Sequence, residues 1–426
     1  MVNDLALQRS KYKHLSDEEW RWFLQQVEGR ERTADKLPTF AAIDDWWYPV
    51  RLSCEQCSSE LTARYKASLL SPLALGEGKG ERFLDLTGGY GVDTFFLSEH
   101  FAHTDYVEQN AELCRIAAHN FALSQKSKVE RQKLSIAVHN TTAEDFLLSS
   151  PCAGEELCSI GLPVAVRRTP PGWGLIFLDP ARRDSHGGKV FKLADCTPNV
   201  VELLPALLER LAPDGRIMLK LSPMLDITQA LKELSFVHRT SSLCTLSWSV
   251  HIVAVKNEVK EVLLISRNTD TSESRETATT ITAIDLSRPE QAFTFTREEE
   301  KEALCPPLEG ELEGVCYLFE PNAAILKAGA YKLIAQRFGL HKLDANTHLY
   351  VADTLVENFP GRVWRINDQM VNAKMVNGQM ANVLTRNYPL TAEQLKKKLR
   401  LRDGGTAFVI GCRVAGKPTL FLAERL

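Results

Sequence analysis

The sequence predicts an α/β chain: a doubly wound, Rossmann-like, mostly parallel sheet with a helical domain before it and α+β domains after it. Three observations carry that prediction. From Arg82 onward, short apolar runs alternate with helix-length amphipathic stretches; a glycine-rich turn follows the first run; and an acidic residue closes the next run about 20 residues further on. At 426 residues the chain exceeds what one growing core can hold, so several domains are expected.

The first segment is helical in pattern. Ser16-Asp17-Glu18-Glu19 is a capping start, and Trp20, Phe23, Leu24 and Val27 recur on one helix face. A second helix is expected over about Ser53–Leu70, before a linker at Gly76, Gly78 and Gly80. Parallel strands are expected at Arg82–Leu86, Thr104–Val107, Leu134–His139, Leu175–Leu178 and Ile217–Leu221, with helices at Val92–Glu99, Ala111–Leu123, Val200–Leu211 and Ile227–Leu234. Val250–Val255 and Val259–Ile265, split by a polar turn at Asn257, read as a closing hairpin, which makes seven strands. Beyond Ser266 a Thr-, Ser- and Glu-rich stretch suggests an exposed linker, although the alternation in Thr279–Leu286 suits a strand. Then come strand-like Val315–Phe319, helix-like Ala323–Phe338 and strand-like His348–Val351, followed by a helix at Thr391–Leu399 and strands at Ala407–Cys412 and Thr419–Ala423. The expected domains are 1–75, 76–268, 275–352 and 353–426.

With 44% hydrophobic and 25% charged residues, and no apolar run near the roughly 20 residues that span a bilayer, a membrane protein is not expected. The start lacks the basic-then-apolar order of a secretory signal, so a cytoplasmic location is expected. Ten cysteines are scattered, which suits reduced thiols; the Cys54-Glu55-Gln56-Cys57 pair lacks a second pair at zinc-finger spacing, and no metal is expected. The net charge of -3 hides an asymmetry: basic residues outnumber acidic ones 9 to 3 over Thr385–Leu426, a balance that favours a polyanion.

Phe83-Leu84-Asp85-Leu86-Thr87-Gly88-Gly89-Tyr90-Gly91-Val92-Asp93 is a strand entering a glycine-rich turn that opens a helix. Gly88, Gly89 and Gly91 let the backbone turn sharply and approach a ligand, while Asp85 stands where it can accept from a ligand's ammonium. Glu108, at the end of the next strand, is placed for ribose hydroxyls, and Thr142, Ala143 and Glu144 follow the third strand at the position for an adenine. A helix cap explains Thr142 equally well. Because Gly91 is followed by Thr94 rather than glycine or alanine, the dinucleotide pattern GxGxxG is not met, and NAD is the less expected cofactor.

The fourth strand ends in Leu178-Asp179-Pro180-Ala181-Arg182-Arg183, which resembles the (D/N)PP(Y/F/W) motif of amino-methyltransferases. In that motif the acid and the proline carbonyl accept hydrogens from the target nitrogen and aim its lone pair at the methyl group. Asp179 and Pro180 are thus the candidate catalytic positions, with Arg182 where an aromatic residue would stack. Arg182 and Arg183 suit phosphate or carboxylate. Lys220, Ser222 and Asp226, at and beyond the end of the fifth strand, and Lys189 and Asp195, after the fourth, are expected to line the same mouth. Carbon-5 pyrimidine transfer needs a cysteine nucleophile, and Leu219-Lys220-Leu221-Ser222-Pro223-Met224 has none, so nitrogen is the expected acceptor and oxygen the second choice.

Lys36-Leu37-Pro38, Gln56-Cys57-Ser58-Ser59-Glu60-Leu61-Thr62-Ala63, Asp85-Leu86-Thr87-Gly88-Gly89, the Asp179 motif, Lys220-Leu221-Ser222-Pro223 and Arg386-Asn387-Tyr388-Pro389 together are similar to a bacterial family of class I methyltransferases with ferredoxin-like and THUMP-like C-terminal domains. The resemblance spans almost the whole chain. It implies S-adenosylmethionine as cofactor, with Gln56, Ser58, Ser59, Asp85, Thr87, Gly88, Gly89, Gly91, Asp93, Glu108, Thr142, Ala143 and Glu144 around it. THUMP domains in better-known enzymes bind RNA, commonly tRNA, so it also implies an RNA substrate, tRNA or rRNA. Lys396, Lys397, Lys398 and Arg400, with Arg402 and Arg413, fit phosphate contacts beside Tyr388. Methylation of a protein or small molecule is the alternative.

Overall fold

The computed structural model describes residues 9–70, 82–126, 135–149, 172–182, 192–240, 246–268, 278–305, 315–369, 376 and 378–426. The linker glycines 76, 78 and 80, together with Arg183 and Lys189, lie outside the described residues. The chain divides into two compact units: one runs to Trp248 and takes in the stretch from Leu263 to the end of its strand, and the other comprises Ser249–Val262 and the chain from Ala278 on.

In the first unit the helix Asp17–Thr33 begins with the expected capping box, Ser16 Oγ accepting from Glu19 N while Glu19 Oε2 accepts from Ser16 N. The expected second helix is in fact two, Arg51–Gln56 and Glu60–Ser68. The break falls where Cys57 and Ser59 are extended, and Ser59 Oγ caps the new helix by accepting from Thr62 N at 3.2 Å.

The strands β1 (Arg82–Asp85), β2 (His103–Glu108), β3 (Ser135–Asn140), β4 (Trp173–Leu178) and β7 (Leu211–Leu221) form the sheet, and β1–β2, β2–β3, β1–β4 and β4–β7 all pair in parallel. A minor antiparallel pair, β5 (Ala181–Arg182) with β6 (Cys196–Thr197), follows β4. The hairpin β8 (Leu246–Val255) and β9 (Glu258–Asn268) turns through Lys256 and Asn257, both at positive φ, as a tight two-residue hairpin requires. With β10 (Thr280–Asp285) and β11 (Phe293–Thr296), the strand order among the described residues is β11-β10-β8-β9-β7-β4-β1-β2-β3, nine strands where seven were expected. The two extra strands belong to the second unit: β10, the alternating Thr279–Leu286 stretch, pairs parallel to β8, and β11 pairs antiparallel to β10.

The N-terminal helices share a core with the sheet. Leu37, Phe40, Trp46, Tyr48, Ala63 and Ala67 pack in one cluster with Phe83, Tyr90, Phe95, Phe96, Tyr106 and Phe177. Polar bonds fix the docking: Trp46 Nε1 donates to Tyr90 Oη at 2.9 Å, and the Asn120 amide exchanges two 2.9 Å bonds with the Trp47 backbone. Ten of these clustered residues carry large side chains, each worth roughly 2 kcal/mol when buried, which holds the helices firmly on the sheet.

The second unit also contains a seven-stranded sheet ordered β13-β14-β12-β15-β18-β17-β16. Its strands are β12 (Tyr317–Pro321), β13 (His341–Asp344), β14 (Thr347–Ala352), β15 (Gly361–Gln369), β16 (Asn382–Arg386), β17 (Ala407–Val414) and β18 (Lys417–Arg425). The expected helix Ala323–Phe338 is split into Ala323–Ala328 and Leu333–Phe338 because Gly329, at φ +80°, ends the first in a left-handed cap. Among the described residues no helix is long and apolar enough to cross a membrane.

Candidate functional site

The site is built where β1 and β4 end side by side. Leaving β1, the chain turns at Thr87–Gly91, held by Gly88 N donating to Val107 O and Gly91 N donating to Gly88 O, both at 2.9 Å. The glycines differ in what they permit. A Cβ on Gly88 would stand 2.1 Å from the Tyr106 ring, whereas one on Gly89, at φ +56°, would meet nothing nearer than Thr87 O at 3.8 Å. Gly88 is therefore required by the protein's own packing, and Gly89 leaves its outer face open. Tyr106 Oη donates to Gly89 O at 2.5 Å and props the turn from beneath.

Glu108 holds this turn from β2, its Oε2 accepting from Gly89 N at 2.9 Å and its Oε1 from Asn110 N at 2.7 Å. Each carboxylate oxygen keeps a further lone pair. Asp85 is 1% exposed, with Oδ1 accepting from Thr87 N at 2.9 Å and Oδ2 from Thr94 Oγ1 at 2.6 Å. Burial is the chief cause that pushes its carboxyl up to about 7, and the charges of Asp93 and Asp179 add to it.

Asp179 meets the turn directly. Its backbone N donates to Thr87 Oγ1 at 2.6 Å, and Lys220 Nζ, from β7, donates to its Oδ2 at 2.5 Å. Lys220 Nζ also lies 3.6 Å from Asp93 Oδ2, and on the other side of Asp93 the wholly buried Lys66 Nζ lies 3.1 Å from Oδ1. Ser58 Oγ donates to Asp93 Oδ2 at 2.7 Å and accepts from Lys66 Nζ at 3.3 Å. Burial opposes ionisation of Asp93, but Lys66 and Lys220 outweigh it and hold the carboxyl below its ordinary value. The result is an alternating row Lys66–Asp93–Lys220–Asp179, assembled from the helix Glu60–Ser68, the helix Val92–Leu97 and the ends of β7 and β4.

Of the residues singled out in the sequence, Ser58, Asp85, Thr87, Gly88, Gly89, Gly91, Asp93, Glu108, Asp179 and Lys220 are brought into this one network. Pro180 is buried beside it, and Gly91 at φ +84° caps the following helix. Others carry different contacts. Ser59 caps its helix, and Gln56 is exposed. Thr142 accepts from Asp145 N at 3.1 Å, a helix cap; beside it Ala143 is buried and Glu144 exposed. Ser222 Oγ accepts from Met224 N at 3.3 Å, Asp226 caps through Gln229 N, and Asp195 is exposed. Arg182 is described by its backbone, which pairs with Cys196. In the second unit Lys396 pairs with Asp403, Lys397, Lys398, Arg400 and Arg402 are exposed, and Arg413 donates to Gly416 O at 2.7 Å. Cys54 is buried with its thiol pushed up to about 12, chiefly by burial, and no group of three His, Cys, Asp or Glu among the described residues is arranged to hold a metal.

Lys66 was missed. Its signal is a lysine on the inner face of Glu60–Ser68, between Ala63 and Ala67, where an apolar residue belongs unless a buried acid awaits it.

Comparison with known proteins gives this geometry a context. Residues 317–360 match the model of a ferredoxin-like domain, and residues 361–425 match that of a THUMP-like domain. A crystal structure from Porphyromonas gingivalis W83, provisionally described as a methyltransferase, is 28% identical, superposes with a TM-score of 0.72 and covers 96% of this chain and 92% of its own. Human methyltransferase-like protein 13 in complex with SAH is 19% identical over 51% of this chain and 86% of its own, at a TM-score of 0.34. Among curated proteins none matches the chain.

Proposed function

We propose that this chain, a class I methyltransferase fold followed by ferredoxin-like and THUMP-like domains, transfers a methyl group from S-adenosylmethionine to a nitrogen of an RNA base. The observation that carries the reading is the 2.6 Å bond from Asp179 N to Thr87 Oγ1: the turn suited to a nucleoside cofactor and the acid suited to an acceptor amine are hydrogen-bonded to each other.

The residues fit the cofactor. Gly89 leaves room for close approach, and Glu108 has lone pairs for ribose hydroxyls. When bound, the cofactor supplies an activated methyl group on a sulfonium. Asp85, buried and with both oxygens engaged by Thr87 and Thr94, acts by fixing the turn. Lys220 holds Asp179 Oδ2, which leaves Oδ1 and the Pro180 carbonyl to accept from the target N–H and aim its lone pair. RNA as acceptor is supported by the THUMP-like match and by the exposed cations of that region.

The test is incubation of the full chain with labelled S-adenosylmethionine and total RNA from cells lacking the enzyme, beside the matching protein extract. Label in RNA is expected. Label confined to protein would remove the RNA reading and leave a protein methyltransferase.

A further inference from the structure

The second unit contains a cavity of about 370 Å³ that the transfer reaction leaves unused. Three arginines from separate stretches of chain contribute to its lining: Arg288 from the loop after β10, Arg362 from β15 and Arg425 from β18. Leu355, 49% exposed, and Val363 give it an apolar side. Like charges drawn into one cavity repel, and among the described lining residues the sole carboxylate side chain is that of Glu357.

The charges are compensated only in part. Arg362 Nη2 lies 2.5 Å from Glu320 Oε2, but Glu320 is shared with Arg386 at 2.5 Å, so one carboxylate serves two cations. Arg362 Nε is buried without a hydrogen-bond partner among the described residues, and neither Arg288 nor Arg425 forms a side-chain ion pair there.

We propose that this cavity takes a phosphate of single-stranded RNA, the guanidinium forks gripping phosphodiester oxygens while Leu355 and Val363 lie against the adjoining nucleotide. The proposal rests on the RNA reading above and adds a site to it. Guanidinium suits a tetrahedral oxyanion with several acceptors, and an apolar side next to it suits an unstacked nucleotide better than a bare ion.

The test uses the full chain and two variants, Arg288→Gln/Arg425→Gln and Glu357→Lys; all three positions are exposed, and Arg362 is kept because it holds Glu320. Binding of a labelled single-stranded RNA of about 12 nucleotides is followed across a salt series. The double variant is expected to bind about tenfold more weakly at low salt, with the salt slope shallower by about 1.4, two contacts at about 0.7 each. Glu357→Lys is expected to bind more tightly with a steeper slope, a gain that misfolding does not produce. Unchanged affinity and slope in both variants, with wild type binding RNA, overturn this site and leave the RNA reading intact; failure of wild type to bind any RNA overturns both. A nucleoside monophosphate binding as tightly as the RNA would overturn the chain contact in favour of a free-nucleotide site.

Discussion

Lys220 Nζ lies 2.5 Å from Asp179 Oδ2 and 3.6 Å from Asp93 Oδ2, so a single ammonium is shared between the acid ending the fourth strand and the acid in the helix after the glycine turn. A charge-assisted bond of this kind fixes which carboxylate oxygen faces outward. Lys220→Met is therefore expected to lower turnover about 10²-fold by letting Asp179 rotate, and Asp179→Ala to lower it at least as far. Both variants should bind cofactor nearly as wild type does in isothermal titration. Loss of cofactor binding in Asp179→Ala would contradict the role given to that residue.

Lys66 and Asp93 form the buried end of the same row. Removing one partner strands a charge, which typically costs about 3–5 kcal/mol, whereas removing both can be nearly neutral. Lys66→Met alone should thus lower the urea midpoint sharply, and Lys66→Met/Asp93→Asn should recover most of it. Additive losses in that double-mutant cycle would mean that the two side chains are not coupled.

Asp85 makes stability fall as pH rises. Its carboxyl is raised from an ordinary 3.8 to about 7, so between those values the folded chain holds a proton that the unfolded chain has lost. Stability from this group is full below about pH 4, declines through pH 7 and is flat above. Asp85→Asn removes the dependence, so the variant's melting temperature should gain on wild type between pH 4 and 7, by the equivalent of at most a few kcal/mol. Asp93, held below its ordinary value, has the opposite sign and loses stability only as acid protonates it. A melting difference between Asp85→Asn and wild type that stays constant from pH 4 to 8 would exclude a raised Asp85.

The two glycines of the turn should fail differently. Gly88→Ala drives a Cβ into the buried Tyr106 ring and should cost about 1–3 kcal/mol in denaturation. Gly89→Ala pays only for its left-handed backbone, roughly 1 kcal/mol, yet sets a methyl on the open face. Its loss should therefore appear in cofactor affinity more than in stability. If Gly89→Ala binds cofactor as wild type does, the open face is not the binding face.

The central strands of the first unit could be read because side chains on both faces are buried, as in β1 and β4, and the glycine turn because Gly89 and Gly91 stand at positive φ and Gly88 against the Tyr106 ring. Breaks inside helical patterns were harder. The Gly329 break sits within an amphipathic pattern and is set by a left-handed glycine, while the Cys57–Ser59 break is set by a serine cap ahead of a helix that buries Glu60, Thr62 and Lys66. Strands β13, β15 and β16 went unread: β16 carries only half-buried side chains, and β15 mixes charge with apolar residues, so neither shows clean alternation.

The doubly wound alternation of strands and helices and the turn at Thr87–Gly91 are legible in the chain, since they follow from local periodicity and from backbone that favours glycine, and Asp179 is legible through the motif it resembles. Tertiary structure alone decided which charges meet. Lys66 and Ser58 reach Asp93 because the N-terminal helices bury an aromatic face on the sheet, and Lys220 reaches Asp179 because β7 pairs with β4. Pairing between residues so distant along the chain is a matter of packing, and no spacing in the sequence records it.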